Sequence, residues 1–391
     1  MRVDVLIFGG GASGLWCLDR FRRAGYQAIL LEAKALGAGQ TIQAQGIIHG
    51  GGKYALRGVR DFAAVRATHE MPGRWRSCLA GASEPSLTGA EVLSEQCYLW
   101  LPRGSIIARA QSWGLMSVVA RAGLLASQPI KIDKNFWPAF VQDSAVSVYA
   151  LREQVVSTGS FLETLAAIHR THVFLYDAAH SSFKDRRLES GDITIDPRAT
   201  VLTAGAGNAE LLRGAGVRGE IMQRRPLSMV LLRGALPPFF GHCVVGGKTQ
   251  LTITTPASGI WQIGGEIAER LTHEENSRVA RRLALREIQR WIPGLDLSGV
   301  EIALYHAERA EARTADLRRP SGVHARYVAP GLLAAWPTKL CLTPVLADEV
   351  FALVSAQLKS PAGYDGEPLP SWPKPQLAPY PWQETQWFTA R

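Results

Sequence analysis

The stretch VDVLIFGGGASG at residues 3–14 decides the fold of this 391-residue chain. Its first six residues are mostly apolar and predict a buried strand, and the apolar spacing of residues 15–24 predicts a helix directly after the glycines. G-x-G-x-x-G between a strand and a helix lets backbone N–H groups at the helix N-terminus hold a pyrophosphate. Gly9 would permit the tight turn, Gly11 the approach of the pyrophosphate, and Gly14 close packing of the helix on the strand.

An acidic residue stands where such a site needs one. The apolar run at residues 28–31 predicts a second strand, and Glu32 follows it directly. A carboxylate at this place accepts hydrogen bonds from the ribose hydroxyls of an adenosine and would repel a 2′-phosphate. The sequence therefore predicts a dinucleotide site for an unphosphorylated ribose, and it leaves NAD and FAD both open.

The composition is that of an ordinary globular protein. With 47% hydrophobic residues the chain is long enough for two cores, and it has no apolar run of the length of a transmembrane segment. The five cysteines lie far apart, which predicts reduced thiols and no metal site. The net charge of +9 comes mostly from dispersed arginines, so we expect no nucleic-acid partner, while an anionic substrate and peripheral membrane contact stay open. The chain shows no signal-peptide pattern, which favours a cytoplasmic protein.

Three stretches carry a resemblance to a known family. They are GGGASGLWCLDRFRRAGYQAILLEA at residues 9–33, IIHGGGKY at residues 47–54 and VLTAGAGNAELL at residues 201–212. In this order they resemble the FAD-dependent oxidoreductases of the D-amino-acid oxidase superfamily, over the chain down to about residue 358. The stretch at 47–54 is most similar to the branch of the L-2-hydroxyglutarate oxidases and the FAD-linked glycerol-3-phosphate dehydrogenases. The resemblance selects FAD, bound noncovalently, as the dinucleotide.

The resemblance also implies an α/β fold with a discontinuous domain organisation. A Rossmann-like FAD-binding domain of the GR2 type would comprise residues 1–80, 150–220 and 325–358. A second α+β substrate domain, built on a mainly antiparallel sheet, would comprise residues 81–149 and 221–324, where strand patterns at 229–232, 249–255 and 259–263 precede a helical pattern at 274–291. Asp196-Pro197 predicts a turn before a strand at 200–203. The Pro- and Trp-rich residues 359–391 predict an extended tail along the surface.

The predicted cofactor residues come from separate segments of the chain. In the family, the loop that corresponds to Thr338 and Lys339 faces the pyrimidine side of the flavin, where a lysine and a helix N-terminus stabilise negative charge on the ring. An ordinary tight loop at residues 204–207 and a surface position for Lys339 are the structural alternatives. The residues assigned to FAD are Gly9, Gly11, Ser13, Gly14, Glu32, Ala33, Gln40, Thr41, Gln45, Gly46, Ile48, Val155, Val156, Ala204, Gly205, Gly207, Thr338, Lys339 and Leu340.

His49 is the candidate catalytic base. A flavin accepts hydride from a carbon that bears OH or NH, and an alcohol must also lose its hydroxyl proton, which a histidine can accept near neutral pH. The family segment that corresponds to residues 46–52 passes the flavin ring, which places His49 near the reacting atoms. His306 is its rival as a catalytic residue. A hydrogen-bonded core histidine and a covalent tether to the flavin are the other interpretations of His49.

An arginine is expected to bind the anionic group of the substrate. The run at residues 306–321 resembles the family element that closes over the active site, and its arginine corresponds to Arg313, with Arg309 as the alternative and Tyr54 as a further substrate contact. A guanidinium group binds a carboxylate or a phosphate in bidentate fashion. A surface salt bridge is the plain alternative for an arginine in such a charged run.

Together these features predict an FAD-dependent oxidoreductase. The preferred reaction is oxidation of a small anionic substrate at a CH–OH carbon, such as 2-hydroxyglutarate or glycerol 3-phosphate, by hydride transfer to flavin N5. Oxidation of an amino acid or a secondary amine is the alternative within the superfamily, and a catalytically inactive flavin-binding accessory protein is the alternative outside enzymes. The sequence leaves O2, a quinone and a carrier protein open as the electron acceptor.

Overall fold

Two β-sheets organise the protein, which we describe from a computed structural model at residues 1–51, 66–103, 129–184, 187–364 and 369–390. The strands are β1 Arg2–Phe8, β2 Ala28–Glu32, β3 Val92–Ser94, β4 Cys97–Pro102, β5 Ile130–Lys131, β6 Ala145–Leu151, β7 Val155–Val156, β8 Val173–Leu175, β9 Ser181–Lys184, β10 Arg187–Ser190, β11 Ile193–Leu202, β12 Met222–Arg233, β13 Gly241–Val245, β14 Lys248–Ala257, β15 Ile260–Gly264, β16 Glu301–Ala312, β17 His324–Ala329, β18 Leu332–Trp336 and β19 Phe388–Thr389. The α-helices are α1 Ala12–Arg23, α2 Met71–Leu79, α3 Thr158–Ile168, α4 Asn208–Gly214, α5 Glu266–Arg270, α6 Ser277–Trp291, α7 Thr343–Leu358 and α8 Pro381–Glu384.

The main path of the first sheet has the strand order β17-β18-β11-β1-β2-β8 and is parallel except for β17. Strand β10 adds to β11 and β9 adds to β10, both in antiparallel fashion. Val3, Val5, Leu6 and Ile7 of β1 have no exposed surface, as expected of a central parallel strand with both faces covered. Helices α1, α3 and α7 contribute to the core on one face, and the hairpin β9–β10 packs on the other. The strand order reverses between β1 and β11, so the loops at the carboxyl ends of these two strands form the crevice in which such sheets bind ligands.

One turn predicted from the sequence is wrong. Asp196 and Pro197 lie inside β11, where they pair with Arg2 and Val3 of β1. On its other side β11 pairs with β10 through residues 193–195 and with β18 through residues 200–202. Proline has no N–H to donate to a ladder, and at residue 197 neither of these neighbours requires a donor.

The second sheet has the strand order β19-β16-β12-β15-β14-β13-β4-β6-β5 and is antiparallel except where β13 meets β4. Helix α6 packs on one face, where Ala284 and Ile288 contact the core that contains Val230 and Ile263. The opposite face, called the inner face below, is turned toward residues 43–45 of the glycine-rich segment. The predicted α/β fold with a second, mainly antiparallel sheet is therefore confirmed, while the domain boundaries stay a prediction.

The C-terminal tail joins both sheets instead of lying along one surface. The N–H of Leu175 in β8 donates to the carbonyl of Pro373 at 2.8 Å, and Leu36 and Leu377 form a parallel bridge. The hydroxyl of Tyr380 accepts a hydrogen bond from the N–H of Gly159 at 3.0 Å. The tail then forms α8 and β19, which pairs with β16. The prediction of an extended tail thus missed its two short elements.

Helix α7 is the described segment that comes nearest to a membrane span. Residues 340–358 are long and apolar enough to cross a membrane by length and composition alone. Leu346, Val350 and Val354 have no exposed surface and pack in the same core as α1. The apolar face of α7 is thus used within the fold.

A buried aspartate connects α1 to the end of α3, and it makes stability depend on pH. The Asp19 side chain has no exposed surface; it accepts hydrogen bonds from Arg23 at 2.8 Å and lies 3.1 Å from Nε2 of His169. Burial raises the pKa of Asp19, but the hydrogen bonds from His169 and Arg23 outweigh burial and hold the pKa below its usual 3.8. The stabilisation is therefore present above the unfolded-state pKa and is lost as pH falls through the folded-state pKa.

We expect Asp19→Asn to lower the free energy of unfolding at neutral pH by about 1–3 kcal/mol. The difference from wild type should shrink below about pH 4, because the wild-type carboxylate then becomes protonated. Urea unfolding of both proteins between about pH 6 and pH 3 measures this. Asp196→Asn, in an exposed ion pair with Arg187, is the matched control and should change little. A difference that stays constant down to pH 3 would contradict the assignment.

Candidate active site

The glycine turn after β1 has no room for side chains. A Cβ on Gly9, whose φ is +107°, would lie 2.6 Å from Cα of Ala204, and a Cβ on Gly14 would lie 1.9 Å from the carbonyl oxygen of Gly9. A Cβ on Gly11 would meet the hydroxyl of Thr41 at 3.1 Å. The turn packs closely against the loop after β11, and the N-terminus of α1 points into the crevice beside Thr41. This cradle fits a pyrophosphate held by backbone N–H groups.

The acid predicted to bind the ribose stands beside this turn. The carboxylate of Glu32 accepts hydrogen bonds from the N–H groups of Gly10 at 2.6 Å and Lys34 at 2.8 Å. Burial raises the pKa of Glu32, and these backbone donors partly offset burial. Ser13 is buried in the first turn of α1, and Ala33 is exposed directly after the acid. The residues present therefore fit the adenosine diphosphate part of FAD.

The segment from Gln40 to Gln45 runs from the glycine turn to the second sheet. The Thr41 hydroxyl accepts a hydrogen bond from the first N–H of α1 at 3.2 Å, and the Gln40 side chain accepts one from a backbone N–H of β16 at 3.1 Å. The amide nitrogen of Gln45 donates to backbone carbonyls of β14 and β15, each at 2.9 Å. These side chains fix the separation between the cofactor turn and the inner face.

Gly46 and Ile48 lie against β7 and the residue before it. The N–H of Val156 donates to the carbonyl of Gly46 at 3.0 Å, and the N–H of Ile48 donates to the carbonyl of Gln154 at 2.8 Å. A Cβ on Gly46, whose φ is +70°, would lie 2.0 Å from the carbonyl oxygen of Val156. Glycine is thus required here by the backbone of β7, and the ladder sets the direction in which the next residue, His49, leaves the segment.

Two further loops predicted to contact FAD have defined geometries. Asn208, which the sequence analysis did not single out, is buried; its side chain accepts a hydrogen bond from the N–H of Ala204 at 2.8 Å and closes the loop that contains Gly205 and Gly207. Thr338 has a φ of +60°, and its hydroxyl donates to the carbonyl of Gly322 at 3.0 Å.

Lys339 lies next to Leu340 in the loop before α7. Its side chain is 8% exposed, and its ammonium group donates to the carbonyl of Ser321 at 3.3 Å. The surface alternative for Lys339 is therefore wrong. A role of this lysine at the flavin stays a prediction.

A row of paired residues runs across the inner face. Tyr305 pairs with Met229, and Thr252 pairs with Gly264 on one side and His242 on the other. Directly paired residues of antiparallel strands point to the same side, so these side chains share the inner face. The Tyr305 hydroxyl accepts a hydrogen bond from the Gln262 amide at 2.6 Å and donates to the carbonyl of Gln43 at 3.2 Å. Burial raises the pKa of Tyr305, which keeps this phenol neutral.

His49 lies at one end of the inner face. Its Nδ1 is 3.2 Å from Oε2 of Glu153, and the other oxygen of Glu153 accepts a hydrogen bond from the N–H of Gly50 at 2.8 Å. The His49 ring lies 5.6 Å from the ring of His242, whose Nδ1 is 3.0 Å from the hydroxyl of Thr252. The His49 side chain is 14% exposed and that of Glu153 is 4% exposed. The site therefore holds an imidazole against a buried carboxylate while leaving part of the ring open.

The same three side chains offer the donor set of a metal site. One ligand atom from each of His49, Glu153 and His242 lies within 4.8 Å of the others. Chain spacing could not reveal this group, because the three residues are 104 and 89 positions apart.

His306, the predicted rival of His49, lies elsewhere. His306 lies in the middle of β16 and not at the strand end that the sequence suggested, and it is exposed. Successive side chains of a strand point to opposite faces, so His306 points away from the inner face on which Tyr305 lies. Its Nδ1 is 3.3 Å from the hydroxyl of Ser228, its cross-strand partner. We therefore correct the prediction, because His306 does not join His49.

A cluster of arginines lies farther along the inner face. Arg309 and Arg225 are a cross-strand pair of β16 and β12, and Arg225 and Arg319 both face the fully buried carboxylate of Glu311, at 3.4 and 3.9 Å. Arg309 contacts Glu269 at 3.3 Å. Burial, followed by the positive charges of Arg319 and Arg225, lowers the pKa of Arg309 to about 10. A guanidinium whose pKa is lowered in this way is stabilised by any anion that binds beside it.

Arg313 is the less suitable of the two arginines that were predicted to bind the anionic group of the substrate. Its side chain is 41% exposed and pairs with Glu220, which is 76% exposed. The plain alternative, a surface salt bridge, describes Arg313 correctly, because β16 ends at Ala312 and the chain turns outward there. Tyr54, the other predicted substrate contact, lies outside the residues that the structure describes.

Several residues of the site were missed by the sequence analysis. Their residue types carry no motif, and only the pairing of distant strands brings them together. The polar/apolar alternation in RAEA at residues 309–312 is a short strand signal that places Arg309 and Glu311 on one face. The missed residues are Glu153, Arg225, His242, Gln262, Glu311 and Arg319.

Comparison with known proteins agrees with this geometry. The family model described as FAD dependent oxidoreductase (DAO) matches residues 4–340. This match spans most of the chain, which belongs to the DAO family of FAD-dependent oxidoreductases. It is an enzyme, and FAD is its cofactor.

The chain is also similar to particular relatives. It is 36% identical to the probable FAD-dependent oxidoreductase PA4991 of Pseudomonas aeruginosa, over 98% of both chains. The crystal structure of that oxidoreductase superposes with a TM-score of 0.80 at 31% identity, covering 98% of both chains. Glycine oxidase from Geobacillus kaustophilus has a TM-score of 0.66 at 17% identity, covering 93% of this chain and 96% of the oxidase. L-alpha-glycerophosphate oxidase from Mycoplasma pneumoniae has a TM-score of 0.64 at 11% identity, covering 95% of this chain and 100% of that oxidase. The last two show a shared fold.

Proposed function

We propose that the enzyme oxidises a small anionic substrate at a CH–OH carbon, with a 2-hydroxy acid or glycerol 3-phosphate as the preferred class. The observation that carries the proposal is His49, a partly open imidazole held against the buried carboxylate of Glu153. Oxidation of an alcohol requires a group that accepts the hydroxyl proton, and this imidazole is suited to that task. The branch of the family and the identity of the substrate belong to this proposal.

The reaction balances with the residues present. When bound, FAD would supply the acceptor for the hydride, one hydrogen with two electrons, that leaves the reacting carbon. His49 accepts the hydroxyl proton at Nε2, and the substrate leaves as a carbonyl compound. Gln45 and Tyr305 hold the inner face against the glycine-rich segment through hydrogen bonds, and this fixed spacing orients the substrate and excludes water. We propose that FAD is held noncovalently in this arrangement, so that His49 acts on the proton and forms no bond to the flavin.

The arginine cluster supports an anionic substrate. Arg225, Arg309 and Arg319 bring three positive charges to a region where Glu311 and Glu269 supply two negative charges. The bidentate geometry of a guanidinium suits a carboxylate or a phosphate. We propose Arg309 as the residue of this cluster that contacts the anionic group of the substrate.

An anaerobic substrate panel tests the reaction class. The holoenzyme is mixed without oxygen with 2-hydroxy acids, glycerol 3-phosphate, amino acids and secondary amines, and loss of the oxidised flavin absorbance is recorded. We expect bleaching by an anionic alcohol, and none by glycerol, which lacks the phosphate. Bleaching by amino acids or amines alone would reject the proposal in favour of amine oxidation. Addition of O2, a quinone or an oxidised carrier protein to the reduced enzyme then identifies the electron acceptor.

A pair of arginine variants tests the anion contact. We expect Arg309→Met to lower kcat/KM for the active substrate by about 10²-fold or more, because the charge-assisted contact with the anionic group is lost. Arg313→Met removes an exposed ion pair and should leave kcat/KM within about twofold. Steady-state kinetics at constant ionic strength gives both values. A large loss of kcat/KM in Arg313→Met with little change in Arg309→Met would instead assign the anion contact to Arg313.

A further inference from the structure

We propose that Glu153 is a positioning residue that fixes the tautomer of His49, holding the proton on Nδ1 so that Nε2 is the atom that accepts the substrate proton. Glu153 belongs to no sequence motif, and its contact with His49 is what singles it out. The inference rests on the proposed function, since it concerns the same base.

The contact between the two residues has the geometry of a hydrogen bond. Oε2 of Glu153 lies 3.2 Å from Nδ1 of His49. An ionised carboxylate accepts hydrogen bonds and cannot donate them, so Nδ1 is the donor and carries the hydrogen. Neutral imidazole has one N–H, and Nε2 is then left with its lone pair. The tautomer that can act as a base is therefore the one that this contact selects.

The orientation of Glu153 is fixed from its other side. Its Oε1 accepts a hydrogen bond from the N–H of Gly50 at 2.8 Å, and its side chain is 4% exposed. Gly50 directly follows His49, so one carboxylate holds both the ring of His49 and the next backbone group of the same segment. The bidentate contact thus fixes the ring relative to the backbone that carries it.

This arrangement makes Glu153→Gln a sharp test. The N–H of Gly50 requires an acceptor, so the amide oxygen of Gln at position 153 would take the place of Oε1. The amide NH2 would then face Nδ1 of His49 and make Nδ1 an acceptor, which moves the ring proton to Nε2. The variant keeps the shape of the site and reverses the tautomer, so the ring loses its ability to accept a proton at Nε2.

The competing interpretation of the same side chains is a metal site. His49, Glu153 and His242 bring ligand atoms to within 4.8 Å of one another. A metal bound to Nδ1 of His49 would remove the proton from that atom, whereas positioning by Glu153 requires it. A metal bound to Nε2 would leave Nδ1 protonated but would occupy the atom that has to accept the substrate proton. The state of Nδ1 and the metal content of the purified protein together separate the two interpretations, independently of catalysis.

The first measurement needs no variant of Glu153. Holoenzyme labelled with ¹⁵N-histidine is examined by two-bond ¹H–¹⁵N correlation, and the His49 signals are assigned by their loss in His49→Gln. We expect Nδ1 of wild-type His49 to be protonated and Nε2 to be unprotonated at neutral pH. Protonation at Nε2 alone would overturn the proposal. A divalent metal present in stoichiometric amount in the purified wild type and lost in Glu153→Gln would also overturn it.

The second measurement tests whether the tautomer of His49 controls the rate of flavin reduction. We expect Glu153→Gln to protonate Nε2 in the same spectrum and to slow substrate-dependent flavin reduction by about 10²–10⁴-fold, with an unchanged FAD content and little change in KM. Glu95→Gln is the matched control, because exposed Glu95 bonds to the neighbouring Gln154 and not to His49. In the His49→Gln background, Glu153→Gln should cause no further loss, because both residues act through one base. A full additional loss in the double variant would assign Glu153 a separate role.

The two proposals fail in different ways. If anionic alcohols do not reduce the flavin but Nδ1 of His49 carries the proton, the proposed function fails and the positioning by Glu153 stands. If anionic alcohols reduce the flavin at the same rate in Glu153→Gln and wild type, the positioning fails and the proposed function stands.

Discussion

Replacement of His49 by glutamine is expected to slow flavin reduction by the active substrate by about 10²–10⁴-fold. Glutamine can still donate a hydrogen bond to Glu153, so the buried carboxylate keeps a partner, but it has no nitrogen that accepts a proton at neutral pH. The loss should fall on the rate of reduction and not on the amount of bound FAD, because His49 lies in the segment after the residues that are predicted to hold the pyrophosphate. Rapid mixing under anaerobic conditions, with the FAD-to-protein ratio measured in parallel, gives both quantities.

His306 provides the matched control for this variant. It lies on the exposed side of β16, where its ring contacts Ser228. The rate of flavin reduction in the His306→Gln variant should therefore lie within about twofold of the wild-type rate. Slow flavin reduction in His306→Gln, together with a wild-type rate of reduction in His49→Gln, would assign the base to His306 instead.

Replacement of Gly14 by alanine is expected to remove FAD almost entirely and to destabilise the fold. The added Cβ would lie 1.9 Å from the carbonyl oxygen of Gly9, a backbone atom that cannot move without shifting the turn. Helix α1 would have to move away from β1, and its N-terminus would no longer point at the pyrophosphate. The FAD content of the purified protein and its thermal unfolding temperature should both fall.

Gly73→Ala separates this effect from the general effect of alanine in a helix. Gly73 lies in α2, and a Cβ there meets nothing within 4 Å. Because alanine favours helices, Gly73→Ala should bind FAD fully and be as stable as wild type or more stable by up to about 1 kcal/mol. A Gly14→Ala protein with a full complement of FAD would show that the turn is not the pyrophosphate site.

The cofactor half of this protein could be predicted from its sequence, because its determinants are local. Strand, glycines, helix and acid lie within residues 3–32, and each element constrains the next through turn geometry and packing. Asp196-Pro197 was misread because proline usually ends a strand, while here its missing N–H lies where neither β10 nor β18 needs a donor.

The catalytic half could be predicted only in part, because it depends on long-range pairing. His49 could be singled out from the residues around it, but Glu153 and His242 approach it only after β7 and β13 have taken their places. The choice between Arg309 and Arg313 depended on whether residues 306–313 form a loop or a strand. The strand continues to Ala312, so Arg309 shares the face of Tyr305, and Arg313 lies just beyond the end of β16.

The path of the tail has a consequence for synthesis on the ribosome. Strand β19 pairs with β16 close to residue 389, and β18 of the first sheet comes only at residues 332–336. Neither sheet can therefore be completed while the nascent chain is still short. The two sheets thus cannot fold one after the other as finished domains during synthesis. Until β19 emerges, Glu301 and Ile302 at the start of β16 lack the strand partners that they have in the finished protein. Translation that stalls shortly before residue 388 should therefore leave this end of the second sheet unpaired.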